Sequence, residues 1–87
     1  MITARQIRAG RALLGWSQQE LADHAILSRN AIAKMERGEV DPRTSTVEAA
    51  RRALEKGGVI FIAASGRAGE GVRAVNPLEE VLSHQAP

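Results

Sequence analysis

Residues 28–34, Ser-Arg-Asn-Ala-Ile-Ala-Lys, carry the side chains with the clearest capacity for recognition chemistry. Arginine can hold the O6 and N7 atoms of guanine with two donors, and asparagine can pair in the same way with the N6 and N7 atoms of adenine. Arg29 and Asn30 are adjacent, and Lys34 follows about one helical turn later. On a helix they would form a face able to read base edges in a DNA major groove. An ordinary solvated helix face is the alternative.

The rest of the sequence offers no catalytic or metal-binding constellation. It contains no cysteine and no tyrosine, and its two histidines, His24 and His84, are far apart in the chain. The glycine-rich stretch 66–73 lacks the Lys and Ser/Thr of a phosphate loop, so we interpret it as a flexible turn. A nucleotide-binding enzyme fragment would rest on that stretch alone. We expect no enzymatic activity, no cofactor and no metal.

Helix signals extend from the N-terminus to Lys56 and would position these side chains. Each of four short helices is preceded by a residue that can cap it. These caps are Thr3, Ser17 (in a capping box with Glu20), Ser28, and Ser45 (in a box with Glu48, after Asp41-Pro42). Glycines end three of the helices, at Gly15, Gly38 and Gly57-Gly58. Apolar residues at helical spacing predict the core: Ile7, Leu14, Leu21, Ala22, Ile32, Met35, Val47, Ala50 and Leu54. Trp16 is expected to pack between the first two helices.

The pattern changes after Gly58 to that of a β-hairpin. Residues 59–64 form an apolar, β-branched strand, 65–71 a turn and 72–75 a return strand. A continuous apolar strand needs cover on both faces, and an isolated hairpin is marginal in water. We therefore expect a homodimer, joined edge to edge or face to face. Its interface would contain Val59, Ile60, Phe61, Ile62, Val72 and Val75.

Length and charge limit the organisation of the chain. Its 87 residues predict one small domain, with helices in residues 1–57, the hairpin in 58–75 and a tail in 76–87. The net charge is only +2, yet ten of the twelve cations are arginines, which favours forked recognition of phosphates or base edges. The longest apolar run, 59–64, is too short to span a bilayer. We expect a cytoplasmic, nucleoid-associated protein without a membrane partner.

Three groups of residues together resemble a known family. These are residues 16–22 (Trp-Ser-Gln-Gln-Glu-Leu-Ala), residues 28–38 (Ser-Arg-Asn-Ala-Ile-Ala-Lys-Met-Glu-Arg-Gly), and Pro42 with Val47. In order and spacing they resemble the Cro/phage-repressor group, often called XRE-like regulators, over about residues 5–56. The resemblance implies a mainly α, lambda-repressor-like helix-turn-helix bundle, here followed by the hairpin. The implied function is a sequence-specific regulator of transcription, a repressor that binds double-stranded DNA at an inverted repeat as a homodimer.

The resemblance also implies a role for individual residues. Base-reading positions are Ser28, Arg29, Asn30, Ala33 and Lys34, and backbone-contacting positions are Ser17, Gln18, Arg37 and Arg43. Arg11 and Glu36 match a structural ion pair. The turn departs from the family, since Ile26 and Leu27 stand where glycine and valine are usual. A β-branched residue is unfavourable at positive φ, so either the turn follows another path or Ile26 is strained.

A second function class is a protein-interaction module, such as the antitoxin of a toxin–antitoxin pair, whose hairpin or tail would bind the toxin. Co-purification with a toxin would favour this alternative, and specific duplex binding that is lost in Arg29→Ala would favour the regulator. The two are compatible because antitoxins often bind their own promoter. We expect no small-molecule effector in a domain of this size.

Overall fold

The computed structural model describes residues 1–75 and contains four helices followed by a two-stranded hairpin. The elements are α1 (Ala4–Leu14), α2 (Gln18–Ala25), α3 (Arg29–Glu36), α4 (Ser45–Gly57), β1 (Val59–Ile62) and β2 (Gly71–Ala74). The predicted mainly helical bundle with a C-terminal hairpin is confirmed. The tail predicted for residues 76–87 lies outside the described residues.

Side-chain caps define the starts of the first three helices as predicted. Thr3 and Ser17 each head a complete capping box, with Gln6 and Glu20 as the reciprocal partners. The Ser28 hydroxyl accepts a hydrogen bond from the Ala31 N–H at 3.0 Å. Each cap satisfies a backbone donor that the helix itself leaves unpaired, typically stabilising by about 1 kcal/mol.

The predicted cap of α4 is wrong by one residue. Thr44, not Ser45, is the N-cap, and its hydroxyl accepts from the Val47 N–H at 3.4 Å. The reason lies in the preceding turn, in which the Thr44 N–H donates to the Asp41 carbonyl at 3.1 Å. That turn delivers Thr44 in extended conformation, so Ser45 already belongs to the helix. Glu48 pairs with Arg51 instead of closing a box.

One core holds the helices together and receives the first strand. Leu21, Ile32 and Leu54 are fully buried at its centre. Of the predicted core residues, only Leu14 is merely half-buried, and it packs at the edge. The other buried apolar residues are Ile2, Ile7, Ala22, Met35, Val47, Ala50, Ala53 and Val59. Val59 enters the core because Gly10 leaves room for it: a Cβ at Gly10 would lie 3.4 Å from Val59 Cγ1.

The hairpin is longer than its two strands. β1 and β2 pair antiparallel from Val59–Ala74 to Ile62–Gly71. Beyond them, Ser65 and Ala68 exchange two backbone hydrogen bonds of 2.9 Å. Ser65 is three residues after Ile62 and Ala68 is three residues before Gly71, so the two strands stay opposite each other without a shift. The hairpin therefore closes in a two-residue turn, Gly66-Arg67. Gly66 has φ of +57°, which glycine adopts at no steric cost. The observed strands end two residues earlier (β1) and start one residue earlier (β2) than predicted.

Polar contacts fix the hairpin to α1. The side-chain amide of Gln6, which is 3% exposed, donates to the carbonyls of Ile62 at 3.0 Å and Gly71 at 2.9 Å. The Glu70 carboxylate accepts from the Thr3 hydroxyl at 2.8 Å and from the Arg5 guanidinium at 2.6 and 3.1 Å. The hairpin is thus part of the domain.

No helix within residues 1–75 is long and apolar enough to cross a membrane.

Candidate nucleic-acid interface

The turn between α2 and α3 sets the angle at which α3 is presented. Ile26 lies in the left-handed region with φ of 57° and ψ of 50°, and it is 90% exposed. The Leu27 N–H donates back to the Ala22 carbonyl at 2.9 Å and closes the end of α2. Of the two alternatives for Ile26, the strained one is therefore correct. The turn keeps the conformation for which glycine is the usual residue, and isoleucine adopts it at a conformational cost.

The two faces of α3 differ sharply in burial. Ile32 and Met35 are buried against the core, whereas Arg29, Asn30 and Lys34 are exposed. Ala33 is half-buried, and its small side chain does not project beyond the exposed face of α3. A shallow open depression on this side is lined by Gln19, Arg29, Asn30, Ala33 and Arg37. Gln19 comes from α2 and was missed by sequence reasoning, although its position beside Gln18 at the start of α2 is a usable signal.

An ion pair fixes the far end of α3. Arg11 Nε lies 2.7 Å from Glu36 Oε2, and Arg11 Nη2 lies 2.9 Å from Glu36 Oε1. The side chain of Glu36 is 4% exposed and that of Arg11 is 24% exposed. The hydrogen bonds to Glu36 raise the pKa of Arg11. Arg11 also donates to the Trp16 carbonyl at 3.1 Å, so one guanidinium ties α1 to both α3 and the start of the α2 region.

Gln18 and Arg8 complete this junction. The Gln18 amide donates to Glu36 Oε1 at 3.2 Å, which joins the first residue of α2 to the last residue of α3. Arg8 donates to the backbone carbonyl of Glu36. A cation at the C-terminal end of a helix is also favoured by the helix dipole. Sequence reasoning missed Arg8, although its spacing of three from Arg11 places both on one face of α1.

The residues proposed to contact the DNA backbone differ in whether their side chains already have partners within the protein. The Ser17 hydroxyl caps α2 by accepting from the Glu20 N–H at 3.0 Å. Arg37 forms an exposed ion pair with Glu39, which lowers the pKa of that carboxyl. Arg43 is exposed and forms no ion pair within residues 1–75. Arg43 is therefore available to an anion, whereas Arg37 would have to exchange its carboxylate for a phosphate.

Ion pairing divides the cations of the described residues into two groups. Arg5, Arg11, Arg37, Arg51 and Arg52 are paired with carboxylates. In the described part of the chain, the cations without such a pair are Arg8, Arg29, Lys34, Arg43, Lys56, Arg67 and Arg73. Arg29 and Lys34 lie on α3, and Arg43 lies in the loop that follows it.

The sequence matches the helix-turn-helix family over residues 7–59, which is more than half of the chain. The chain belongs to the Cro/C1-type helix-turn-helix family. This is a family of DNA-binding regulators and not of enzymes. No curated protein gives a significant match to the chain.

The matched span contains α2, the turn and α3 of this helix-turn-helix protein. These have the order of the two helices of the motif, in which the second is termed the recognition helix. The matched region ends at the first residue of β1, so the hairpin beyond Val59 is an addition to the shared core.

Trp16 packs against the end of α2 and the end of α4. Its ring stacks on His24 at the end of α2, with centroids 4.1 Å apart and planes 6° from parallel. A Cβ at Gly57 would lie 2.6 Å from Leu14 Cδ1 and 2.8 Å from Trp16 Cη2. Glycine at the end of α4 therefore allows Trp16 to pack closely. A packing role was predicted, but the partners are His24 of α2 and Gly57 of α4, whereas packing between α1 and α2 was expected.

Proposed function

We propose that this helix-turn-helix protein is a transcriptional repressor that binds an inverted-repeat operator as a symmetric homodimer and acts by occluding the promoter. One observation carries the proposal: α3 has an exposed polar face of Arg29, Asn30 and Lys34, while Ile32 and Met35 anchor its other face in the core. Because Arg8, Arg11 and Gln18 hold its end, the face is preorganised. The protein would work in the cytoplasm on chromosomal DNA.

The exposed face of α3 would read bases in the major groove. Arg29 suits the O6 and N7 atoms of guanine, and Asn30 suits the N6 and N7 atoms of adenine. Ser28 and Ala33 would approach the bases closely, and Lys34 would reach a base edge or a phosphate. Each good bidentate contact discriminates by about 1–3 kcal/mol. Two such contacts per protomer are enough to define a half-site.

A second set of residues would hold the DNA backbone. Arg43 is exposed beside the start of α4 and would bind a phosphate directly. Arg37 would bind another after releasing Glu39. Ser17 and Gln18 lie at the start of α2, where backbone N–H groups and the helix dipole favour an anion. These contacts would add affinity for every sequence alike.

The outer face of the hairpin is the best candidate for the dimer interface. In the observed register Ile60 faces the same side as Arg73, and Ile62 the same side as Gly71. Ile60 is 46% exposed and is the one large apolar residue of the two strands that is exposed. Val59, Phe61 and Val72 alternate to the other side, where Val59 is 3% exposed and the other two pack on the core. The proposed interface therefore narrows to Ile60 and Ile62, with half-buried Val75 at its edge.

The dimer is tested by a charge placed on that face. Leu13 provides a matched control because it is also 46% exposed but lies on α1. In sedimentation equilibrium, Ile60→Glu is expected to give a monomer and Leu13→Glu a dimer. A wild-type protein that stays monomeric at micromolar concentration would rule out the proposed dimer.

The function is tested by selection from random duplexes at near-physiological salt. An enriched inverted repeat with half-site centres about 34–36 Å apart would support a symmetric dimer that reads sequence. Recovery of only salt-sensitive, sequence-independent binding would reject the repressor and would favour a protein partner for the hairpin.

A further inference from the structure

The hairpin runs back along α4 toward the loop that carries Arg43. Its first residue, Val59, packs near Leu54 in the C-terminal half of α4, because both side chains surround Gly10. Four residues later, Ala63 lines a groove together with Pro42 and Val47, at the opposite end of α4. The direction of β1 is therefore antiparallel to α4. It points toward the end of the domain where α3 is joined to α4.

The tip of the hairpin follows Ala63 after a short length of chain. Gly66 is three residues after Ala63, which is at most about 10 Å of extended chain. The Ser65–Ala68 bridge pairs the two arms of the hairpin again just before the turn. The two-residue turn Gly66-Arg67 therefore lies within about 10 Å of Ala63, which lines the groove together with Pro42, next to Arg43 in the same loop.

The tip is held in place by contacts within the domain. Gln6 clamps the carbonyls of Ile62 and Gly71 across the two strands. Nearer the tip, Glu70 binds both Thr3 and Arg5 at the start of α1. A contact made from this position would not require a free loop to become ordered, which would otherwise oppose binding.

The composition of the tip suits the backbone of a duplex. Arg67 is exposed and forms no ion pair within the described residues. Its neighbours Gly66, Ala68 and Gly69 are small and exposed, so no bulky side chain next to it keeps a partner away. The guanidinium fork matches the geometry of phosphate oxygens.

We propose that residues 65–69 form a wing that places Arg67 against a DNA phosphate next to those bound through the loop after α3. This inference rests on the proposed DNA-binding function and adds a contact from outside the region shared with the family. The contact is with the backbone, so it adds affinity without adding base preference.

The first test compares Arg67→Ala with Lys56→Ala. Both remove one exposed cation without an ion pair in residues 1–75, but Lys56 lies at the other end of α4. Arg67→Ala is expected to reduce the slope of log K against log salt by about 0.9, and to weaken binding about fivefold near 0.15 M salt, on every duplex tested. Lys56→Ala should match the wild type. Arg67→Lys should restore the slope because it restores the charge.

The second test locates the contact by ethylation interference on the selected operator. Ethylation of at least one phosphate per half-site should weaken binding of the wild-type protein. Ethylation of the same phosphate should not change the binding of Arg67→Ala. The unfolding midpoint of Arg67→Ala should equal that of the wild type, since no described contact is removed.

The outcomes separate the wing from the proposed function. If the wild type binds its operator and Arg67→Ala shows the same affinity and salt slope, the wing is refuted and the recognition helix stands. A loss of affinity with no phosphate assigned to Arg67 also refutes the wing. If the wild type binds no duplex specifically, both proposals fail together.

Discussion

Arg11 and Glu36 join the middle of α1 to the last residue of α3 through two hydrogen bonds of 2.7 and 2.9 Å. The carboxylate is almost fully buried, and Gln18 donates to the same oxygen as Arg11 Nη2. Three helices therefore share one charged group. A recognition helix of only eight residues has little stability of its own, so its orientation depends on this junction.

Glu36→Ala is expected to destabilise the fold. Removing one partner of a buried ion pair costs about 3–5 kcal/mol, and we expect about 2–4 kcal/mol here because Arg11 is partly exposed to solvent. Urea denaturation measures the change. Glu55→Ala is the control, since its pair with Arg51 lies on the surface and should be worth less than about 1 kcal/mol. Equal losses in the two variants would show that the junction is not structural.

Gln6→Leu is expected to loosen the hairpin. The substitution keeps a similar volume but removes the amide that donates to the half-buried Ile62 and Gly71 carbonyls and accepts from the Thr3 N–H, at a cost of about 1–3 kcal/mol. Hydrogen exchange should show faster exchange of β1 and β2 amides and little change in α2 and α3. Gln19→Leu, on the exposed face of α2, is the control for stability. Unchanged exchange in the strands would contradict the clamp.

Glu70 is expected to make the stability of the domain depend on pH in the acidic range. Hydrogen bonds from Arg5 and then Thr3 lower the pKa of Glu70 to about 2, from an ordinary 4.5. The fold therefore favours the charged form. Its contribution to stability is complete above the unfolded pKa and is lost as the pH falls from 4.5 toward 2.

Thermal unfolding of Glu70→Gln measures this contribution. The wild type should melt at a higher temperature than the variant at neutral pH, and the gap should close as the pH approaches about 2. Glu39 and Glu48 also have lowered pKa values, so the gap between the two proteins is the informative quantity. A gap that does not change with pH would exclude the ionised Glu70 contact as its cause.

Ile26→Gly is expected to stabilise the protein. A left-handed conformation costs a residue with a Cβ about 1–2 kcal/mol, and glycine loses about 0.5–1 kcal/mol in backbone entropy, so the net gain is about 0.5–1 kcal/mol. Little burial is lost because Ile26 is 90% exposed. Ile26→Ala keeps a Cβ and should gain less. A glycine variant that unfolds at lower urea concentration than the wild type would show that Ile26 is stabilising where it stands.

Local signals predicted most of the helical framework. The hydroxyls of Thr3, Ser17 and Ser28 cap the helices that follow them, as a cap depends on a few neighbouring residues. The same logic failed at Thr44, where two hydroxyl residues are adjacent and the preceding turn decides which one caps. The sequence also did not show that Val59 faces the core and Ile60 faces outward. That assignment depends on how the hairpin packs against α1.

Contacts between distant residues were not predictable from the pattern. Gln6 meets Ile62, and Glu70 meets Arg5, across more than fifty positions of chain. Nothing in either stretch marks the other as its partner, because a buried amide and a surface carboxylate have many possible neighbours. The Arg11–Glu36 pair was expected only through resemblance to the family. The face of α3 was expected both from that resemblance and from the chemistry of arginine and asparagine.

The most direct test of base reading by α3 is to repeat the duplex selection with Arg29→Ala and Arg43→Ala. Arg29→Ala is expected to lose base preference at one or two positions in each half-site. Arg43→Ala should keep the wild-type sequence preference but bind every duplex more weakly, with a salt slope reduced by about one. An Arg29→Ala variant that selects the wild-type sequence unchanged would contradict the assignment of the reading face.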